Sequence, residues 1–259
     1  MSAVGLEVRE GALWARIQRP EAMNSLNYDV LAGLEAAMSV AESEPEARAL
    51  VLAGSGRVFC AGADLELIAG SDEEPGAFED FLEAVGRTMA RLERLSLPTI
   101  AAINGIALAG GLELVLCCDL AIAAAGAKIG DAHANYGLLP GGGGTVRLPR
   151  RVGPALAKQL MFTGAFVEAG ELRHSGLLND VVPADRLEAA VDEVVAAIVA
   201  KSPLGIARMK QLVDDALEQP AAVGLRAELL ASSLHAHSSD MSEGLAAFRE
   251  KRAPDFTGQ

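Results

Sequence analysis

The sequence predicts an α/β fold for about the first two thirds of the chain and an all-helical last third. Up to Gly153, short apolar runs typical of buried strands alternate with longer segments of helical periodicity. After Gly153, nearly every segment has helical periodicity. The chain has 259 residues, of which 51% are hydrophobic and 22% charged, so it can enclose one large core.

The elements of the first part follow from its polarity patterns. Residues 6–9 and 13–18 alternate in polarity and are expected to pair as a hairpin around Glu10-Gly11. Residues 28–43 have their apolar side chains on one helical face, with Asn27 as a candidate cap. The other elements are strands over 49–53, 99–103 and 120–124, a helix over 78–95, and a polar, mobile loop over 68–76.

The last third is expected to extend the core rather than to form an independent domain, since no repeat or low-complexity linker precedes it. Its predicted elements are helices over 154–163, 168–175, 185–200, 203–218, 220–237 and 239–251, and at most a short strand at 181–182. We therefore divide the chain into an α/β core, residues 1–200, and a C-terminal helical region, residues 201–259, that packs on the core or on a neighbouring subunit.

The charge balance and the cysteines limit the partners and the compartment. The formal net charge of −13 disfavours nucleic-acid binding, and an anionic ligand would need a local cluster of lysine and arginine. Cys60, Cys117 and Cys118 have no disulfide spacing, which indicates a reducing compartment, and the adjacent pair is expected in the core. The N-terminus has neither the basic nor the apolar region of a signal peptide, so we expect a cytoplasmic protein.

The longest apolar stretch, residues 97–125, is not expected to cross a membrane. It contains Pro98, Asn104, Glu113 and Asp119, as well as a pair of glycines, and a membrane helix would not carry all of these. We expect a strand, a turn, a helix and a second strand in a buried core, and no membrane partner.

Within this stretch, Glu113 is the leading candidate for a catalytic residue. Its neighbours in residues 108–118 are apolar or glycine, and a buried, unpaired carboxylate shifts its pKa or takes part in chemistry. Gly110 and Gly111 allow backbone N–H groups to approach a ligand at the start of a helix. Amide donors beside a desolvated carboxylate are the parts of an oxyanion site with an acid or base. The alternative is a structural role, as the partner of a buried arginine or as a helix-start carboxylate.

Three glycine-bearing segments, residues 60–64, 108–113 and 139–145, are candidate parts of the site. The first two follow predicted strands, whose ends gather ligands in α/β proteins, so one backbone N–H from each segment can converge on one oxygen. The run at 141–144 has neither the lysine of a P-loop nor the preceding strand of a dinucleotide-binding motif. We interpret it as a tight loop packed against the core.

His133 is a second candidate, as a proton carrier, because its pKa lies near neutrality. Asp131 and Glu113 are its acidic neighbours in this part of the sequence, but their spacing is not that of metal ligands, so no metal is expected. No nucleophile elbow of the Gly-x-Ser-x-Gly type is present. The remaining histidines are interpreted as surface or packing residues on predicted helices: His174, His235 and His237.

Several stretches together make the chain resemble the crotonase superfamily, that is, the enoyl-CoA hydratase/isomerase family, over nearly its whole length. They are RPEAMNSL (19–26), FCAGADL (59–65), NGIALAGGLEL (104–114) with CD (118–119), GLLPGGGGTVRL (137–148) and EGLAAFREKR (243–252). Each stretch alone is a weak signal, but their order and spacing are specific to the family.

The resemblance implies a spiral core of ββα units with a C-terminal helical trimerisation region, assembled as a homotrimer or as a homohexamer of two trimers. It implies an acyl-coenzyme A thioester as substrate and no separate cofactor. The thioester oxygen would accept hydrogen bonds from the backbone N–H groups of Ala61 and Gly110. Coenzyme A would contact residues of the glycine segments, namely Ala61, Gly62, Ala63, Asp64 and Gly110. A neighbouring subunit would supply two further contacts near its C-terminus, Lys251 and Phe256.

His133 marks a departure from the hydratases of this family, in which two glutamates hold one water. The first glutamate corresponds to Glu113, and the second corresponds to His133 without a gap between the two positions. Asp131 is a further carboxylate that could orient the histidine or replace it. Tyr136 and residues 65–78 are expected to shape the acyl pocket.

Four activities are compatible with this departure. We favour hydration of a 2-enoyl-CoA, or its reverse, with Glu113 as acid/base and His133 in place of the second glutamate. A double-bond isomerase needs only one acid/base, which moves a proton across an enolate. A hydrolase or ring-opening C–C hydrolase would use water activated by Glu113 or His133. The fourth reading is a non-catalytic acyl-CoA-binding protein.

Overall fold

The structure is a computed structural model that describes residues 2–70 and 75–259. In chain order, its strands are β1 (Val4–Arg9), β2 (Ala12–Ile17), β3 (Ala49–Gly54), β4 (Val58–Cys60), β5 (Thr99–Ile103), β6 (Ile106–Leu108), β7 (Leu120–Ala124), β8 (Lys128–Gly130), β9 (Val167–Glu168) and β10 (Asp180–Val182). Its α-helices are α1 (Tyr28–Ser43), α2 (Leu65–Gly70), α3 (Ala77–Glu93), α4 (Gly110–Cys117), α5 (Gly144–Val152), α6 (Pro154–Thr163), α7 (Leu187–Val199), α8 (Pro203–Ala216), α9 (Ala221–His235) and α10 (Ser239–Glu250).

The strands form a larger sheet, in the order β1-β2-β3-β5-β7-β10, and a smaller sheet, in the order β4-β6-β8-β9. The larger sheet is parallel except for the β1–β2 hairpin, and the smaller sheet is parallel except for β9. Three times the chain leaves a strand of the larger sheet, adds a strand to the smaller sheet and continues into a helix or helical turn. This path is the spiral of ββα units that the resemblance implies, and it brings the carboxyl ends of β4, β6 and β8 to one edge.

Both faces of the larger sheet are buried at its central strands β3, β5 and β7, which explains why these strands are continuous apolar runs in the sequence. In β3, Leu50 and Leu52 pack into the main core, whereas Val51 belongs to a second cluster on the opposite face. Helix α7 covers that opposite face with Val191 and Val195. All three cysteines are buried and free, as expected for the adjacent pair.

The hairpin, α1 and the central strands confirm the corresponding sequence predictions. Helix α1 spans the predicted residues, and the Asn27 side chain accepts a hydrogen bond from the Val30 N–H at 3.0 Å. Strands β5 and β7 begin and end as predicted, and β3 is one residue longer than predicted. Helix α6 also has its predicted bounds, and α3 and α7 to α10 end within two residues of theirs.

The predicted helix over 168–175 is wrong. Only a short 3-10 helix, Ala169–Leu172, follows β9. The backbone before it is held by the smaller sheet, because Glu168 pairs with Lys128 and the Ala169 N–H donates to the Ala127 carbonyl at 2.9 Å. Glu168 is therefore extended, with φ −68° and ψ 141°, and cannot be part of the predicted helix.

The sequence analysis also misses the smaller sheet and α5. Strands of two or three residues are too short to show an alternating pattern. Helix α5 follows a run of glycines and contains Pro149, and both features argue against a helix in a sequence. In the predicted loop at 68–76, residues 68–70 complete α2, and residues 71–74 lie outside the described residues.

The C-terminal helices expose many large apolar side chains. On α9, Leu225, Leu229, Leu230 and Leu234 are each between 62% and 67% exposed, and on α10 Phe248 is 84% exposed. The division at residue 200 stays a prediction. Within the described ranges, no helix has both the length and the apolarity needed to cross a membrane.

Candidate active site

A cavity of about 680 Å³ opens where β4, β6 and β8 end. Each strand end contributes to its lining: Ala63 follows β4, Gly110 follows β6 and His133 follows β8. Glu113 lines the same cavity from the first turn of α4. An apolar wall from α2 and α3 is formed by Leu65, Ile68, Phe78, Phe81, Leu82 and Val85.

The Glu113 carboxylate is 2% exposed and is held by backbone amides. Its Oε1 accepts hydrogen bonds from the Gly142 N–H at 2.9 Å and the Gly144 N–H at 2.8 Å. Its Oε2 accepts none from the described residues, and Glu113 forms no ion pair with them. The interpretation of Glu113 as the partner of a buried arginine is therefore wrong, and one carboxylate oxygen remains available toward the cavity.

The two amide donors come from the glycine run at residues 141–144. The run is a tight loop against the core, as predicted, but the sequence analysis did not foresee that it holds Glu113. A methyl group at Gly142 would lie 2.7 Å from Glu113 Oε2, and one at Gly144 would lie 3.1 Å from Oε1. Glycine is needed at both positions because the backbone passes this close to the carboxylate.

Burial raises the pKa of Glu113 above its ordinary value, because water no longer solvates the ionised form. The Gly144 and Gly142 amides and the charge of His133 oppose this effect without cancelling it. A carboxylate with a raised pKa is a stronger base than an exposed one, and its titration lies closer to neutral pH, where an acid/base catalyst both takes up and releases a proton.

His133 and Asp131 form a pair beside Glu113. His133 is buried except for the part that lines the cavity, and its Nδ1 lies 3.2 Å from Asp131 Oδ1. The distance is that of an ion pair, although the ring N–H is not aligned well enough for a hydrogen bond. Burial by itself lowers the pKa of His133, but contact with Asp131 and the charges of Asp131 and Glu113 outweigh it, so the pKa is raised.

Unusual backbone conformations lie on both sides of the cavity. Ala132 is left-handed with φ 62°, and the His133 N–H donates to the Asp131 carbonyl at 2.8 Å, which closes a three-residue turn. Ala109, directly before Gly110, has φ 48° and ψ −119°. Non-glycine residues adopt such conformations at a cost of about 1–3 kcal/mol each, and they concentrate at functional sites.

The backbone hydrogen bonds distinguish the amides that are candidates for oxyanion donors. The Ala61 N–H already donates to the Met23 carbonyl at 3.2 Å. By contrast, the N–H groups of Ala63 and Gly110 have no acceptor among the described residues. A methyl group at Gly110 would lie 3.5 Å from the Ala63 nitrogen, so the two residues are neighbours.

The strand-like contact of Leu26 explains why Ala63, rather than Ala61, has the free amide. Leu26 donates to the Gly62 carbonyl at 2.8 Å and accepts from the Asp64 N–H at 2.9 Å. In a parallel bridge of this kind, the N–H of the residue in between points away from its partner strand. Gly110 is the first residue of α4, where helices have N–H groups without helical acceptors.

The predicted coenzyme A residues are only partly at the cavity. Ala61, Ala63 and Asp64 line it, and Gly62 lies behind them with φ +107° against Ala109. Asp64 is paired with Arg19 at 3.0 Å, which the sequence analysis did not assign although Arg19 begins the first matching stretch. Arg19 and the exposed Lys128 supply positive charge at the cavity.

The two C-terminal residues lie elsewhere in the chain. Neither Lys251 nor Phe256 lines the cavity. Lys251 is exposed at the end of α10, and the Phe256 carbonyl accepts from Arg48 at 3.3 Å. Tyr136 lines the cavity and is 64% exposed, whereas Asp131 is buried behind His133 and does not line it.

Comparisons with known proteins agree with this fold. The sequence model of the family described as "Enoyl-CoA hydratase/isomerase" matches residues 7–259. A crotonyl-CoA hydratase from Syntrophomonas wolfei is 38% identical over 254 residues, which cover 97% of this chain and 96% of that protein. The mitochondrial enoyl-CoA hydratase domain-containing protein 2 of Mus musculus is 39% identical, over 94% of this chain and 83% of that protein.

The solved structures show the same fold. A crystal structure of enoyl-CoA hydratase from Bacillus anthracis has a TM-score of 0.93 at 35% identity, and the match covers 99% of this chain and all of that one. The expected crotonase-like architecture is confirmed. The chain belongs to the enoyl-CoA hydratase/isomerase family.

Proposed function

We propose that this protein hydrates 2-enoyl-CoA thioesters reversibly. The observation that carries the proposal is the convergence of three groups in one cavity: the free Oε2 of Glu113 and the unbonded N–H groups of Ala63 and Gly110. The relative from Syntrophomonas wolfei, named for its action on crotonyl-CoA, supports the same reaction.

The two amides would bind the thioester oxygen of the substrate. When water adds to Cβ, negative charge moves onto this oxygen in an enolate, and the Ala63 and Gly110 N–H groups stabilise it. Removing one donor from such a site typically costs about 2.7–4 kcal/mol of transition-state stabilisation. Both donors are fixed by the fold, so they need no rearrangement during the reaction.

Glu113 and His133 would supply the two proton transfers. Glu113 Oε2 takes a proton from water while the water oxygen bonds to Cβ. The protonated His133 then gives a proton to Cα, which collapses the enolate to the hydroxyacyl thioester. Transfer of the proton from Glu113 to His133 restores both residues. Asp131 favours this role because its charge stabilises the imidazolium.

Coenzyme A would bind as part of the substrate, without a further cofactor. Arg19 and Lys128 are the cations that suit its phosphates at the cavity. We retain Lys251 and Phe256 as contacts supplied by a neighbouring subunit, since neither reaches the cavity of its own protomer.

The test is to mix the protein with crotonyl-CoA and to follow the loss of absorbance of the conjugated enoyl thioester. We expect turnover on at least one of a short-, a medium- and a long-chain 2-enoyl-CoA. Conversion of only 3-enoyl thioesters would instead identify an isomerase, and release of free coenzyme A would identify a hydrolase. Binding of CoA esters without any conversion would identify a non-catalytic binder.

We also propose that the chain assembles as a homotrimer or as a homohexamer of two trimers. The large apolar side chains exposed on α9 and α10 support this, because a monomer rarely leaves so many of them in contact with water. Sedimentation equilibrium should give three or six times the chain mass of 26.8 kDa. A monomer at micromolar concentration would contradict the proposal.

A further inference from the structure

We propose that Arg147, paired with Glu93, is a positioning residue that fixes the catalytic carboxylate of Glu113 by holding Gly142. The inference rests on the proposed function, in which Glu113 transfers the proton. Arg147 lies on α5 and Glu93 ends α3, so the pair joins two helices that flank α4.

Each of the three nitrogens of the Arg147 guanidinium donates a hydrogen bond. Its Nε and Nη2 donate to the two oxygens of Glu93 at 2.9 Å and 2.7 Å. Its Nη1 donates to the Gly142 carbonyl at 2.7 Å. The bidentate pair sets the plane of the guanidinium and thereby the direction of the third bond.

Gly142 is therefore held from both sides. Its carbonyl accepts from Arg147, and its N–H donates to Glu113 Oε1. The Arg147 backbone N–H also donates to the Gly143 carbonyl at 3.0 Å, next to the second amide donor, Gly144. Arg147 thus donates to two successive carbonyls of the glycine loop, whereas Glu113 accepts from the N–H groups of the same loop.

The loop needs such a bond because its own side chains supply none. Four successive glycines lose the most conformational freedom on folding and have no side chain to pack. The catalytic geometry depends on this loop, since its two amides both bind Oε1 and so leave Oε2 as the oxygen that reacts.

Arg147 acts on Glu113 through the backbone of Gly142 and not by direct contact. No hydrogen bond or ion pair joins the two side chains, and Glu93 neutralises the guanidinium. The charged and titratable groups near Glu113 are Cys117, one turn further along α4, His133 and Asp131, beyond β8, and the Arg147–Glu93 pair on the other side. The arginine is therefore expected to matter for geometry more than for charge.

The experiment compares Arg147→Met and Arg147→Lys with Arg150→Met as a matched control. Arg150 lies on the same helix and is paired with the exposed Glu218, away from the loop. We expect Arg147→Met to lower kcat for crotonyl-CoA about 10- to 100-fold, because misplacement of a catalytic group by about 1 Å has effects of this size. KM should change less than kcat, and Arg150→Met should behave as wild type.

A second readout does not depend on turnover. The carboxyl infrared band that disappears in Glu113→Gln reports the titration of Glu113. In both Arg147 variants this titration should move to higher pH, because the amide bonds that lower the pKa of Glu113 are loosened. If Arg147→Met does not fold, two milder variants replace it: Arg147→Lys, which keeps a cation, and Glu93→Gln, which keeps a polar partner for Arg147. In both, the titration of Glu113 should also move to higher pH.

A folded Arg147→Met protein with wild-type kcat and an unmoved Glu113 titration would overturn the inference. A wild-type protein that converts no thioester would instead overturn the proposed function. In that case, the infrared titration still tests whether Arg147 positions Glu113, so the two failures are distinguishable.

Discussion

Glu113→Gln is expected to lower kcat for 2-enoyl-CoA hydration by about 10²–10⁴-fold, the usual range for loss of a general acid/base. Glutamine has the same shape, and its carbonyl oxygen can accept the Gly142 and Gly144 N–H groups as Glu113 Oε1 does. The nitrogen in place of Oε2 cannot take a proton from water. Steady-state rates on crotonyl-CoA, together with binding of a CoA ester, separate lost chemistry from lost binding.

The same substitution has an expected signature in stability. Burial raises the pKa of Glu113 in the folded state. A group of this kind favours folding below its unfolded pKa, which is about 4.3 for glutamate, and this contribution is lost as the pH rises through the raised pKa. Urea unfolding should therefore show wild type losing stability relative to Glu113→Gln across that window. If Glu113→Gln hydrates 2-enoyl-CoA at the wild-type rate, Glu113 is not the acid/base of the reaction.

His133→Gln is expected to lower kcat about 10²-fold or more and to abolish the alkaline limb of the pH profile. The reason is that hydration needs the imidazolium as a proton donor. The pKa of His133 is raised, so activity should persist to higher pH than an ordinary histidine would allow and fall only as the pH passes that raised value. The measurement is kcat/KM on crotonyl-CoA across the pH range, read as apparent pKa values of the coupled Glu113–His133 pair.

Two further variants sharpen the histidine test. Asp131→Asn removes the carboxylate that raises the pKa of His133, so the alkaline limb should move to lower pH while part of the activity remains. His174→Gln changes an exposed histidine away from the cavity and should match wild type. If His133→Gln instead keeps full activity and the same alkaline limb, the histidine has no part in proton transfer.

The candidate oxyanion donors show which part of the site was predicted from the sequence and which part was not. The 60–64 and 108–113 segments that sequence reasoning selected meet at the cavity, because glycines after strands place amides at a sheet edge. Sequence reasoning chose Ala61, whose N–H is bonded to Met23, and not Ala63, whose N–H is free. Which amide is free depends on the docking of residues 23–26, about 40 positions earlier in the chain, a contact that local spacing does not encode.

The same limit applies to the fold. Strands of five or six residues between turns were predicted, because both of their faces are buried and their sequences are uniformly apolar. The smaller sheet was not predicted, because its strands are two or three residues long. Its pairing overrode the helical periodicity of residues 168–175, since main-chain hydrogen bonds to β8 took precedence over local propensity.

Three local features can be recognised in the sequence itself: a carboxylate among apolar residues, a helix cap at Asn27 and, through the family resemblance, a histidine at the position of a second glutamate. The partners of these groups come from the folded chain. The donors to Glu113 are 29 and 31 positions away, and Glu93 is 54 positions from Arg147. Hydrogen bonds form within about 3 Å, so packing between distant segments decides which oxygen of Glu113 is held, which is free, and how its pKa shifts.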